Sequence, residues 1–325
     1  MRDEDDALFS GRGPLPDDLA RLERALSTLP LPPEPDWDAR PRRERRVPAL
    51  AWAAAAALLV IAPAGLLFGR DTWRVETLAG SPSLGGVAFA GHVAMGGRVI
   101  TDAHSRARLE VKGLGVIELG PGSVLKRVRG RGAERRLALD HGMLTAFIQA
   151  PPRQFVVETP AGVATDLGCT YTLSVAPDGH GRLAVTAGRV TFTSDGRESF
   201  VPAGAWCPLF PSGDGVPRRD YASDAFLSAV ATWDVATTPD SALSAVLATA
   251  EPSDAITLWH LLPRVHGEAR ARVADRIAAL IEVPADVAHE RVLALEPAAL
   301  DAWWGAIGMG PADEWRATSP RRVLP

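Results

Sequence analysis

The chain has 325 residues, is 46% hydrophobic and 23% charged, and carries a formal net charge of −4. That length and apolar content suffice for at least one sizeable core. The near-neutral charge excludes a dedicated nucleic-acid binder, which is usually strongly basic.

Residues 1–14 are acidic and then glycine-rich, and read as a disordered tail. Residues 17–29, DDLARLERALSTL, predict one short helix with Asp17 and Asp18 in its first turn. Leu19, Leu22, Leu26 and Leu29 share one face of it. A helix of about 13 residues is marginal alone in water. A leucine stripe with no core of its own suits the groove of a partner. Lying on a membrane surface and plain disorder are the alternatives. Pro30, Pro32, Pro33 and Pro35 end this segment, and Arg40, Arg42, Arg43, Arg45 and Arg46 follow, opposed only by Glu44.

Ala49 to Phe68 carries no charge. A run of about 20 residues is the length that spans a hydrocarbon core about 30 Å thick. Pro63 and Gly65 are tolerated in such a span. A buried soluble helix is the second reading, and a cleaved signal peptide the third, although the run begins far from the N-terminus. Beyond it stand Arg70 and Arg74 with Asp71 between them. The side richer in Lys and Arg stays in the cytoplasm. Residues 1–48 are therefore expected there, and residues 70–325 on the exported side.

From residue 72 to about 215 the chain shows short runs rich in Val, Leu, Ile and Thr: WRVETL, RARLEV, VIEL, RLALD, QFVVET, TYTLSV, RLAVTA and RVTFTS. Gly85-Gly86, Gly96-Gly97, Gly120-Pro121-Gly122, Asp178-Gly179 and Asp195-Gly196 separate them. This grammar predicts an all-β domain, an antiparallel sandwich or a rolled sheet. Alternation in RLAVTA puts Leu183 and Val185 on one face. From 220 to 316 helical spacing takes over, with helices predicted at 224–234, 239–250, 254–263, 267–282, 285–295 and 297–307. Pro239 and Pro297 suit first helical turns. The segment LSAV occurs at Leu227 and at Leu243, a weak hint of a repeat. Residues 317–325 read as a frayed tail.

The search for chemistry finds no Gly-x-Ser-x-Gly, no P-loop and no His-Glu-x-x-His, so no enzyme and no cofactor is expected. Ser81 and Ser123 lie in turn contexts. His260 and His266 share the helical region, where a polar helix surface is the expected setting rather than a metal site. The basic run from Lys126 to Arg136 reads as a solvated hairpin, with contact to anionic lipid or cell-wall polymer as the alternative. Trp303 and Trp304, with Trp315, suit either core packing or a partner surface. Cys169 and Cys207 fall near strand positions on the exported side, where a disulfide persists. A disulfide between them and two buried free cysteines are both open.

The stretch from Gln154 to Cys207 contains Thr159-Pro160-Ala161-Gly162, Ala164, Gly188-Arg189-Val190 and Ala203-Gly204. With GGRVITDAHSRARLEV and GVIELGPGSVL upstream, it resembles the exported domain of the FecR family over about residues 75–207. The family's Gly-Thr-x-Phe element is Gly168-Cys169-Thr170-Tyr171 here. The resemblance implies a single-pass inner-membrane signal transducer with a periplasmic β domain. Such a protein regulates an extracytoplasmic-function sigma factor on the cytoplasmic side and meets an envelope protein or polymer on the other. An envelope binding or scaffolding protein with no cytoplasmic partner is the alternative. The cytoplasmic segment lacks the His and Cys cluster of zinc-type anti-sigma proteins, so a sigma contact here would be metal-free.

Overall fold

The computed structural model describes residues 72–86, 88–89, 91–130, 132–236 and 239–310, together with Ala20, Arg21 and Arg24. Leu19, Leu22, Leu26 and Leu29, the apolar run Ala49 to Phe68 and the tail lie outside the described residues. Among the described residues no helix is long and apolar enough to cross a membrane.

Eighteen strands form among the described residues. They are β1 (Trp73–Ala79), β2 (Ser83–Gly85), β3 (Ala88–Phe89), β4 (His92–Val93), β5 (Arg98–Ile100), β6 (Arg106–Val111), β7 (Gly115–Leu119), β8 (Val124–Val128) and β9 (Arg135–Ile148). They continue as β10 (Phe155–Thr159), β11 (Gly162–Asp166), β12 (Thr170–Val175), β13 (Gly181–Ala187), β14 (Arg189–Ser194), β15 (Arg197–Pro202), β16 (Ala205–Phe210), β17 (Gly213–Asp214) and β18 (Arg218–Arg219). Two sheets result. The first runs β3-β4-β1-β6-β7-β9-β12-β13-β16, with β17 and β18 both on β16. The second runs β2-β5-β8-β9-β10-β11-β14-β15.

Alternation in the sequence decides which side chains enter the space between the sheets. Ala107, Leu109 and Val111 of β6, Tyr171, Leu173 and Val175 of β12, and Leu183 and Val185 of β13 all lie in one core. Their neighbours point out to solvent.

β9 belongs to both sheets. Its first half pairs with β8 and β10, and its second half with β7 and β12. Leu137 and Leu139 are buried before the crossing, and Leu144, Ala146 and Ile148 after it, so the inward set moves from odd to even positions. A bulge makes that change: the β8 register slips between Val124 and Leu125, opposite His141 and Leu139. Such bends are how a strand passes from one packed sheet to the other. Gly142 sits at the bend with φ +107°. A Cβ there would stand 2.2 Å from Ser123 Oγ and 2.3 Å from Ser123 Cα. The Ser123 hydroxyl fills the place, accepting from Met143 N at 3.0 Å and donating to Gly120 O at 2.8 Å.

The sandwich departs from the antiparallel expectation at one pair. β10 runs parallel to β9, with Phe155 opposite Arg135. The bent β9 returns the chain near its own start, so a short loop suffices where a straight strand would need a long crossover.

Six α-helices follow among the described residues: α1 (Asp224–Asp234), α2 (Pro239–Thr249), α3 (Ala255–Leu261), α4 (Gly267–Leu280), α5 (His289–Leu293) and α6 (Pro297–Ala306). Ser223 caps α1 by accepting from Phe226 N at 3.2 Å. The two LSAV segments differ in burial: Ala229 is buried in α1, while Ala245 is exposed in α2. The helices build a second core that includes Phe200 of β15 and Val216. Trp303 and Trp304 are buried in it, and Trp304 lies edge-on to Phe200 at 4.8 Å between ring centroids. Trp315 lies outside the described residues.

Polar contacts also join helices to sandwich. His260 of α3 is 3% exposed, not on the polar helix surface that its sequence context suggests. Its Nε2 accepts from Phe200 N at 3.1 Å, and its Nδ1 faces Ile256 O at 2.8 Å. It thereby satisfies a backbone donor on the outer edge of β15, a group that is costly to bury alone. His266 is exposed. Arg264 donates to Asp214 Oδ2 and to Ser199 Oγ, each at 2.8 Å. Arg218 and Asp234 form an ion pair with both side chains 1% exposed, and Asp234 also accepts from Val216 N at 3.0 Å.

Two outcomes follow for urea unfolding. Gly142→Ala forces a Cβ into Ser123 at a left-handed φ, and is expected to cost about 3 kcal/mol or more. Asp234→Ala leaves the Arg218 guanidinium buried without its carboxylate and should cost about 3–5 kcal/mol. An unchanged midpoint in either variant would contradict the contact it removes.

Candidate functional site

The residues that carry the sequence resemblance meet where strands change sheets. β11 passes to β12 through Gly168, β13 passes to β14 through Gly188, and β15 passes to β16 at Ala203-Gly204. These crossings lie side by side. A Cβ on Gly188 would fall 2.1 Å from Gly168 O and 2.9 Å from Cys169 Cα, so only glycine lets the two chains touch. Ala203 N donates to Gly188 O at 3.0 Å, and Gly204 N to Val185 O at 2.9 Å. Thr159-Pro160-Ala161-Gly162 is the β10–β11 turn, in which Thr159 Oγ1 donates to Gly162 O at 2.9 Å.

Asp166 closes the first crossing. Gly168 N donates to its Oδ1 at 2.6 Å, and the Cys169 thiol donates to its Oδ2. Burial raises the Asp166 carboxyl to about 6, against these hydrogen bonds, which favour the charged form. Burial, then the Asp166 charge, pushes the Cys169 thiol up. Burial likewise raises Tyr171, whose hydroxyl is enclosed with no partner among the described residues. A thiol held protonated is no nucleophile. The cluster can hold a proton, but it pairs no activated nucleophile with a base. Asp166 was not singled out from the sequence, although Asp-x-Gly ahead of a strand is an Asx-turn signal.

Cys169 and Cys207 are not brought together. Both are free thiols and both are buried. Cys207 pairs with Leu183, and Leu183 with Leu173. Cys169 precedes Leu173 by about four residues, or ~13 Å along the strand, and stands two strands away from Cys207. A disulfide needs Cα atoms within about 7 Å. Cys207 Sγ instead contacts Gly215 O at 3.3 Å.

The basic run forms the β8–β9 hairpin, but Arg127 within it is buried. Among the described residues no group of three His, Cys, Asp or Glu side chains has the arrangement of a metal site. An open hollow of about 590 Å³ lies on the outer face of the first sheet, bounded by Arg74, Glu76, Arg108, Val116 and Phe147. Arg108 at its wall pairs with Glu118 at 2.7 Å and with Glu76 at 3.7 Å.

The buried proton has a measurable signature. Asp166 titrates near 6 folded and near 3.8 unfolded, so the stability it contributes is complete below about pH 4 and lost as pH rises through 6. His260 is held down to about 3 by burial, against 6.5 unfolded, and acts with the opposite sign: its contribution is full above 6.5 and lost as pH falls. Asp166→Asn is therefore expected to gain on wild type by ~1.4 kcal/mol per pH unit between about pH 4 and 6. Urea unfolding across that range measures it, and a constant difference would place the Asp166 titration elsewhere.

Comparison with known proteins bears on these strands. The family model described as FecR protein matches residues 97–191. No protein of curated function matches the chain. Two crystal structures of a candidate anti-sigma factor from Parabacteroides distasonis align at 12% identity and a TM-score of 0.34. Each alignment covers 41% of this chain, and 63% and 62% of the respective neighbours. Likeness at that level establishes neither a shared function nor a shared partner. The matched stretch begins at β5, takes in the bend of β9 and two of the crossings, and ends in β14, so the FecR resemblance read from Thr159-Pro160-Ala161-Gly162 and Gly188-Arg189-Val190 is matched by the family model over residues 97–191.

Proposed function

We propose that this chain is a FecR-like regulator of an extracytoplasmic-function sigma factor, anchored in a bacterial inner membrane by Ala49 to Phe68. Residues 1–48 lie in the cytoplasm and the sandwich and helices lie in the periplasm, where they meet an envelope protein or polymer. The chain is not an enzyme. The observation that carries this reading is the FecR match to residues 97–191. It falls on strands whose distinctive residues are corners and turns, the equipment of a binding scaffold rather than of catalysis.

The order of segments supports the coupling such a role needs. Only four residues separate Phe68 from Trp73, and Trp73 is 1% exposed in the sandwich core. A span ending at Phe68 is thus tied closely to the folded domain. On the other side, the leucine stripe of residues 17–29 has the spacing of a helix that docks in a partner's groove.

Leu22→Asp combined with Leu26→Asp in the full chain should abolish capture of the sigma factor and change transcription from its promoters. Membrane insertion should stay intact, and a reporter active only outside the cytoplasm should work when fused after Phe210 but not at Pro30. Unchanged capture and transcription would reduce residues 1–48 to a tether and favour the envelope scaffold. The opposite reporter pattern would overturn the orientation.

A further inference from the structure

The open hollow on the outer face of the first sheet, about 590 Å³, falls within the range of about 300–1,000 Å³ usual for ligand sites. Strand register lays out its surface. Arg74 of β1 lies opposite Glu110 of β6, Glu110 opposite Val116 of β7, and Val116 opposite Phe147 of β9. This row spans ~14 Å at about 4.8 Å per strand spacing. Beside it runs a second row, Glu76, Arg108 and Glu118, in which Arg108 binds both carboxylates. In the first row Arg74 and Glu110 are exposed, and among the described residues neither forms an ion pair. Phe147, 43% exposed, and half-buried Val116 make an apolar floor between these charges and the exposed Gln149.

We infer that this hollow binds a neutral saccharide, with a sugar ring lying on Phe147 and its hydroxyls meeting Arg74, Glu110 and Gln149. A carboxylate only accepts hydrogen bonds, a guanidinium only donates them, and an amide does both. A ligand that satisfies all of them carries donors and acceptors at short intervals, as neighbouring hydroxyls do. Arg74 and Arg108 are balanced by Glu76 and Glu110 in the lining, so it favours neither an anion nor a cation. The apolar floor suits the C–H face of a sugar ring. The row crosses β6, β7 and β9, each paired on both sides, so it offers an extended peptide no free strand edge. The sugar comes from one of two sources, a glycan strand of the cell wall or a soluble saccharide. The cell-wall source rests on the periplasmic reading of the sandwich, and the chemistry of the hollow does not.

The test uses the full chain in micelles of a detergent without a sugar headgroup. Chitotetraose, cellotetraose and maltotetraose are titrated by calorimetry, and purified cell-wall sacculi are cosedimented with the protein. Wild type is expected to bind at least one of these probes. Phe147→Ala should weaken that binding about tenfold or more, and Phe147→Tyr, which keeps the ring, should retain it. Arg74→Ser with Glu110→Ser should weaken it several-fold. All three positions are exposed, so the melting temperature should be retained in each variant. Raised salt should leave the affinity unchanged, because a neutral ligand is not screened. Cosedimentation that Phe147→Ala abolishes identifies the cell-wall strand as the ligand. Binding of a tetrasaccharide without binding of sacculi identifies the soluble sugar. Wild type that binds none of the probes, binding indifferent to Phe147→Ala and to the double variant, or binding lost at high salt overturns the site. Failure of the sigma-factor or topology experiments leaves the titrations unaffected.

Discussion

The fold depends on the bend in β9. Its 14 residues would extend ~43 Å if straight, yet Phe155 lies opposite Arg135 and is reached from Ile148 in a span of at most ~24 Å. The strand must therefore fold back. Gly142 permits the turn, and Ser123 substitutes a side-chain hydroxyl for a lost rung of the ladder. The accompanying bulge reverses which residues face inward, so Leu137 and Leu144 enter the same core from different sheets. Both sheets are ordered outward from this one strand.

The neighbouring crossings repeat the device with different chemistry. At Gly188 the backbone comes so close to Gly168 and Cys169 that a methyl group has no room. Asp166 then caps the exposed donors of the turn and accepts the Cys169 thiol. A carboxylate in this setting loses more by desolvation than its hydrogen bonds return, which is why it holds its proton to about 6. Cysteine and tyrosine stand where the FecR pattern has threonine and phenylalanine. In this chain, therefore, the crossing is a buried polar cluster.

The helices complete the sandwich. β15 is an edge strand whose outward face would otherwise be open. Phe200 packs among helical tryptophans, His260 accepts its N–H, and the Arg264–Asp214–Ser199 contacts hold the next turn of chain. Buried charge pairs add little net stability compared with apolar packing, but they tolerate no misplacement. They set the position of the helices on the edge as well as their adhesion to it.

Local rules determined much of this protein from sequence alone. Runs rich in Val, Leu, Ile and Thr between turn residues located β6, β12 and β14, alternation set the faces of β13, and periodicity with proline placed α1, α2 and α6, because side-chain spacing and turn chemistry act over only a few residues. The family pattern was legible for the same reason: Thr159-Pro160-Ala161-Gly162 and the corner glycines are local backbone requirements. Contacts between distant segments were decided only by the tertiary structure. RLALD was visible as a strand, but its continuation through Gly142 into a second sheet was not, since a glycine in a polar context reads as a stop. Cys169 and Cys207 were plausible partners on strands, and the register set them two strands apart. His260 resembled a surface residue until β15 brought Phe200 N to its ring, and Arg127 lost its place on a solvated hairpin to Trp73, 54 residues earlier in the chain. Burial and pairing of a polar group depend on which other strand arrives beside it, and the long-range packing of the bent sheet makes that choice.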